Sequence, residues 1–367
     1  MRLAIFINTP AQFHFWRNIV KELQNRGHDV TILIRKYRET VSLAKEFSLE
    51  YFIYSLTTTN SKIAKVLSLV PDVLRSYKYL RKYKPDIIAG KGVYDAFASR
   101  LLNKPCIEFE DSEPMVNTFW YGIQFNFYMP FVDVILTPES FRQNLGKNHL
   151  RVASYKELAY LHPNYYIPND DIFDLLGISK GEDYVLLRFN AFDAVHDVGI
   201  NGFTKEDKIE LVKRLEKYAH VFVSSEGKVP REIEDKVLRI PKSRIHDVIY
   251  YAKLLVTDTQ TMATEGSLLG TPTIRSNKFV GEKDMGNFIE LEKKFGLLFN
   301  IRNPKEAIKK AEELIQLDNI KREWQKKRNI LLKKKIDITA FMVWFIENYP
   351  ESFYKFQENP RIQYRFR

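Results

Sequence analysis

Short, wholly apolar runs alternate with amphipathic stretches along most of this chain, and that alternation limits the folds open to it more than any other feature. Leu3 to Ile7 is such a run, followed by the turn-like Asn8-Thr9-Pro10 and then by Phe15, Ile19, Val20 and Leu23 at helical spacing. Gly27 closes the helix, and His28 to Arg35 reads as the next strand. The pattern continues with Tyr51 to Tyr54, a helical stretch to Tyr83, Asp86 to Ala89, a helix from about Asp95, then Pro105 to Phe109 and Asp133 to Leu136. Strands that are apolar throughout are buried on both faces, which predicts a parallel sheet covered by helices on either side.

A second series of the same kind runs through Tyr184 to Arg188, Lys205 to Tyr218, His220 to Ser224, Val237 to Ile240, His246 to Ala252, Leu254 to Thr257, Met262 to Leu269 and Pro272 to Ile274. Between the two, periodicity weakens and Pro163, Pro168, Asn169 and Asp170 gather, as in a connecting segment. A chain of 367 residues also exceeds what one core usually holds. The expected organisation is an α/β domain over 1–160, a connection over 161–181, a second α/β domain over 182–335, and a helix with an aromatic and basic tail over 336–367. No close repeat relates the two series.

The stretch Leu254 to Asn277, LLVTDTQTMATEGSLLGTPTIRSN, is the most informative. A strand enters the small polar residues Asp258 to Thr261, a helix follows with Glu265 one turn in, and Gly270-Thr271-Pro272 leads into another strand. Such a turn offers oriented backbone donors and a positive helix end to an anion. The plainer alternative is an ordinary capped helix.

Other candidates follow strands whose carboxyl ends gather at one sheet edge. In the first series they are Gln12, Phe13 and His14, then Lys91 and Gly92, then Asp111 and Glu113. An unperturbed imidazole titrates near neutrality, so His14 suits acid or base work, although a lone histidine among aromatics is commonly structural. The acids before Pro114 also fit a helix's first turn. In the second series Arg188 ends a strand and suits phosphate. His196 and Asp197 lie in the loop beyond it, and Ser225 follows the next strand.

Together the segments NTPAQFHFWRNIVKELQNRGHDVTIL, GKGVYDAFASRLLNKP, FEDSEP, LLRFNAFDAVHD and TDTQTMATEGSLLGTP resemble the prokaryotic domain-of-unknown-function family 354 over most of the chain. The last segment is also similar to the nucleotide-sugar signature of the GT-B superfamily, which includes UDP-GlcNAc 2-epimerases and the lipid-linked GlcNAc transferase of peptidoglycan synthesis. The resemblance implies two Rossmann-like domains facing across a cleft, with C-terminal helices crossing back. It implies that the amides of Thr259, Gln260, Thr261 and Met262 meet ligand phosphates and that Glu265 hydrogen-bonds the ribose. Pro10, Gln12 and Phe13 depart from it, standing where these enzymes carry a glycine-rich turn.

On this reading the chain is a metal-independent glycosyltransferase. A nucleotide diphosphate sugar, a UDP-sugar, is its substrate, and it needs no cofactor. Arg188 and the helix start meet the leaving diphosphate, and His14 or Asp111 serves as acceptor-side base. The acceptor is open, lipid-linked or polysaccharide. A UDP-sugar 2-epimerase is the alternative reaction, and a non-catalytic binder of nucleotide sugar or polyanion the third reading. The sequence lacks a P-loop, a Gly-x-Gly-x-x-Gly fingerprint, His-Glu-x-x-His, a nucleophile elbow and the Asp-x-Asp triplet of metal-dependent transferases.

The single cysteine, Cys106, excludes disulfide frameworks and Cys-rich metal sites and suits a reducing compartment. The start lacks a signal-peptide pattern, so a cytoplasmic location is expected. A net charge of +11 attracts polyanions or an anionic membrane face. Nothing resembles a recognition helix, so nucleic acid binding would be non-specific. Lys305 to Lys335 reads as a solvated helix face. Trp344 and Phe353 with Arg361, Arg365 and Arg367 either pack on the first domain or contact anionic lipid at the inner membrane face.

Overall fold

Strands apolar on both faces need cover on both, and each half of the chain supplies it with helices cut from the intervening amphipathic stretches. The computed structural model describes residues 1–56, 62–113, 125–190 and 202–367, with only the backbone for 62–67. It divides into two units, one formed by Met1–Tyr165 with Lys335–Arg367 and the other by Tyr166–Lys334.

The first unit holds β1 (Arg2–Ile7), β2 (Asp29–Arg35), β3 (Phe52–Ser55), β4 (Ile87–Gly90), β5 (Cys106–Phe109), β6 (Val134–Pro138) and β7 (His149–Val152). They form one sheet in the order β3-β2-β1-β4-β5-β6-β7, every neighbouring pair parallel. Its helices are α1 (Pro10–Asn25), α2 (Thr40–Glu46), α3 (Lys62–Tyr83), α4 (Val93–Leu102) and the short α5 (Leu158–Leu161). Thr9 caps α1 by accepting from the Gln12 amide, and Pro10 fits the first helical position. The helix buries Phe13, Phe15, Trp16, Ile19, Val20 and Leu23, the face its spacing predicts. Strand β7 lies within 1–160, past Asp133 to Leu136, the last strand expected there. It is an edge strand with alternating burial, so its polar residues mask the apolar pattern.

The second unit holds α6 (Ile172–Leu176), β8 (Tyr184–Phe189), α7 (Lys205–Leu215), β9 (His220–Ser225), α8 (Ile245–Tyr251), β10 (Leu254–Thr257), α9 (Gln260–Leu269), β11 (Thr273–Arg275), α10 (Gly286–Ile289), β12 (Leu298–Asn300), α11 (Pro304–Ile315) and α12 (Ile320–Lys334). Its parallel sheet runs β12-β11-β10-β8-β9. The strand expected at Val237 to Ile240 reduces to a single bridge between Val223 and Val237. Pro241, directly after Ile240, lacks the amide a longer ladder would need.

From Lys335 the chain adds α13 (Ile338–Glu347) and α14 (Glu351–Glu358) to the first unit. The Asp337 amide donates to Phe366 and the Ala153 amide to Gln363, so the tail is bonded down. Trp344 is half-buried beneath the Arg365 guanidinium, 4.2 Å from its ring. No helix among the described residues is long and apolar enough to cross a membrane.

Both strand orders reverse beside the first strand of the unit, between β1 and β4 and between β8 and β10. Ligands of open parallel sheets gather at the carboxyl ends of such strands. In each unit one side chain ties the two ends together: Asn8 donates to the Lys91 carbonyl (2.9 Å), and Asp258 accepts from the Asn190 amide (2.7 Å).

Candidate functional site

At the carboxyl end of β10, the Thr257 hydroxyl accepts from the Thr259 amide (2.9 Å) and pairs with the Thr259 hydroxyl (2.8 Å). Thr259 starts α9 in an extended conformation, but its side chain makes no capping bond to the helix. Thr9 and Thr204, by contrast, cap α1 and α7. The first-turn amides of α9 are therefore not filled by their own cap, the arrangement that accepts an anion. Thr259, Gln260 and Thr261 are half-buried, and Met262 is buried.

Helix α9 lies close on the sheet because Gly266 has no side chain. A Cβ there would stand 2.5 Å from Leu255 Cδ2 and from Thr273 Oγ1. One turn in, buried Glu265 meets His246 of α8, with Nε2 and Oε1 3.1 Å apart. Asp258 is also buried, and burial pushes its carboxyl up to about 7 against the Asn190 amide, which holds it down. Its Oδ2 would stand 2.3 Å from a Cβ at Gly202.

Arg188 reaches across to β9, donating to Ser224 (2.8 Å) and Glu226 (2.7 Å). Its charge is thus already paired. Ser225 accepts from the Gly227 amide and closes a turn. His196 lies outside the described residues.

In the first unit, Lys91 contacts Glu110 (2.7 Å), Asp111 (2.5 Å) and Ser112 (3.0 Å). Lys156 takes the other Asp111 oxygen and also faces Glu157 at 3.5 Å. Burial favours a neutral Asp111, but Lys156 and Lys91 outweigh it and hold its carboxyl well below the usual range. Burial raises the Glu110 carboxyl, and Lys91 offsets this only in part.

Among the sequence-predicted residues, Lys91 and Asp111 come together, while Phe13 does not line the surface, since it is fully buried in the α1 face. Gln12 turns back to accept from the Asn8 amide (2.7 Å). His14 is largely buried, its ring 5.2 Å from that of Tyr160. Gly92 has a φ of 129°, open to glycine, and begins α4. Glu113 is buried and faces Arg142 at 3.5 Å. Glu110, Lys156 and His246 were not singled out by sequence. Glu110 adjoins Asp111 in the acidic run, whereas nothing local marks the other two.

One group among the described residues brings three metal-capable side chains together: Asp95 of α4 with Cys106 and Glu108 of β5, all buried. Burial pushes Asp95 up to about 7, and burial with the Asp95 charge pushes Glu108 well up, so the two carboxyls favour bound protons. Gly90 makes room for Asp95, whose Oδ2 would stand 2.8 Å from a Cβ there.

Two all-parallel sheets flanked by helices, each with a reversal of strand order at its first strand, define the GT-B type of fold. S. aureus MnaA in its co-structure with UDP superposes with a TM-score of 0.68 at 11% identity, over 96% of this chain and 97% of that one. UDP-GlcNAc 2-epimerase from Neisseria meningitidis bound to UDP-GlcNAc gives 0.64 at 11%, over 95% and 100%. MurG of Acinetobacter baumannii gives 0.56 at 15%, over 94% and 99%. No curated protein matches the sequence significantly. The chain belongs to the family described as protein of unknown function (DUF354), whose model matches residues 2–343.

Proposed function

We propose that this protein is a metal-independent glycosyltransferase that takes a nucleotide diphosphate sugar, a UDP-sugar, at the β10–α9 turn. The observation that carries the reading is the α9 start, where first-turn amides unfilled by Thr259 sit one turn from a buried glutamate. Gln260, Thr261 and Met262 present amides to the diphosphate, and Glu265 accepts from the ribose, while the expected Thr259 amide is already taken by the Thr257 hydroxyl at 2.9 Å. The same amides stabilise the charge that develops on the departing diphosphate. Arg188 would have to exchange Glu226 for phosphate to take part. His14 is the better acceptor-side base, because a carboxyl held as low as Asp111 is a weak proton acceptor. The acceptor is a hydroxyl of a lipid-linked or polysaccharide chain.

Calorimetric titration with UDP, GDP, ADP and CMP tests the donor site. Selective binding of UDP, weakened roughly tenfold or more by Glu265→Ala, is expected for loss of a charge-assisted hydrogen bond. Equal affinity of wild type and variant would remove the ribose role. Turnover undiminished by EDTA is expected of the metal-independent reaction.

A second reading, a UDP-sugar 2-epimerase, is favoured by Glu110, a buried carboxyl raised by burial and set 2.7 Å from Lys91, since acid and base groups are what proton transfer at a sugar carbon needs. Incorporation of solvent deuterium at C2 of the sugar would select epimerisation over transfer.

A further inference from the structure

We propose that His246 is the positioning residue that fixes Glu265 for a nucleotide's ribose hydroxyls, an inference that rests on the donor-site reading above. A glutamate side chain turns about three bonds, and a carboxylate buried to this degree needs a partner. Glu265 is 5% exposed and His246 3%, and the imidazole Nε2 lies 3.1 Å from Oε1. A bond to a ring held by its own helix sets the orientation of the carboxylate before any ligand arrives, which lowers the ordering cost of binding.

The ring is held because α8 is held from several sides. Asp247, next in the chain, accepts from the Tyr166 hydroxyl (2.7 Å), the Asn169 amide (3.1 Å) and Arg244 Nε (2.7 Å). Tyr184 of β8 donates to the Val248 carbonyl (2.7 Å), and Thr271, just past α9, donates to the Ile249 carbonyl (2.6 Å). The Tyr166 ring and the imidazole stand nearly perpendicular, with 6.3 Å between their centroids. Helix α8 thus presents one nitrogen to α9 from a frame built by β8, the 166–169 segment and the exit of α9 itself. The ligand class this frame serves is a nucleoside diphosphate with an intact ribose.

The test compares UDP with 2′,3′-dideoxy-UDP by calorimetry on the full chain. Wild type is expected to prefer UDP roughly tenfold or more. His246→Phe keeps a ring of similar volume but no N–H donor; the preference should fall to about threefold or less, with dideoxy-UDP affinity nearly unchanged. His246→Gln, which keeps a donor, should recover part of the preference. Equal weakening of both ligands in His246→Phe, or a preference left intact in both His246 variants, overturns the positioning role. If wild type binds no UDP at millimolar concentration, or if Glu265→Ala keeps the full preference, the donor-site reading itself falls, and this inference with it. Melting curves on each variant confirm that the chain compared is folded.

Discussion

Two lysines decide what Asp111 can do. Each of its oxygens faces an ammonium group, so it serves to hold Lys91 and Lys156 in place rather than to take a proton. Lys156→Met leaves a largely buried carboxylate with one partner, and breaking such a pair costs more than the pair contributes. The expected loss is roughly 2–4 kcal/mol of unfolding free energy, read from urea denaturation. Asp95 behaves in the opposite way. Its carboxyl lies near 3.8 when free and is pushed up to about 7 in the fold. The folded state therefore binds the proton more tightly, and stability falls as pH rises between these values, then levels off above 7. Asp95→Asn removes that fall: the variant should be more stable than wild type at pH 8, on the order of a few kcal/mol, with the gap closing toward pH 4. A gap that stays constant across that range would rule out the retained proton.

At the scale of elements, the seat of α9 on the sheet controls the donor turn. Gly266→Ala places a methyl group 2.5 Å from Leu255 and Thr273, both anchored in strands. The helix has to lift, at about 1–3 kcal/mol as in other overpacked cores. Because the lift also moves the amides of Gln260 to Met262, UDP affinity should drop together with the melting temperature. Unchanged affinity in a destabilised variant would separate the turn from the seat. The glycine stands in a sequence segment legible as strand, turn and helix, because Leu254 to Val256 is wholly apolar and Gly270 ends the helix at a φ of 70°. The short strands β7 and β12 were not legible, since His149, Arg151 and Asn300 interrupt the apolar run that marks the other strands. Nor were the lysine pair and His246. Lys91 and Lys156 meet on Asp111 from 65 positions apart, and His246 reaches Glu265 across 19. Local pattern reports which face of an element is buried; it does not report which buried polar groups meet between elements.

At the scale of the whole molecule, the last residues of the chain return to the first unit. Helix α13 buries Ile338, Phe341, Met342, Val343, Phe345 and Ile346 there. At about 1.5–3 kcal/mol for each such side chain, the helix contributes roughly 10 kcal/mol or more. That equals the net stability of a typical domain. Lys335, fully buried, adds an ion pair to Glu139 at 2.7 Å, and its ammonium stands 4.7 Å from the Tyr155 ring. Along the sequence, the second unit, Tyr166–Lys334, is inserted between the two segments of the first. Removing residues 336–367 should therefore unfold the first unit and spare the second. Differential scanning calorimetry reads this directly, because a ligand bound to one folded unit raises that unit's transition alone. In the truncated chain we expect one cooperative transition, still shifted upward by UDP, and none for residues 1–165. A truncated chain that retains both transitions would place the stability of the first unit in its sheet and α1 instead of in α13. Loss of the UDP-dependent shift would mean that the donor turn needs the first unit to bind.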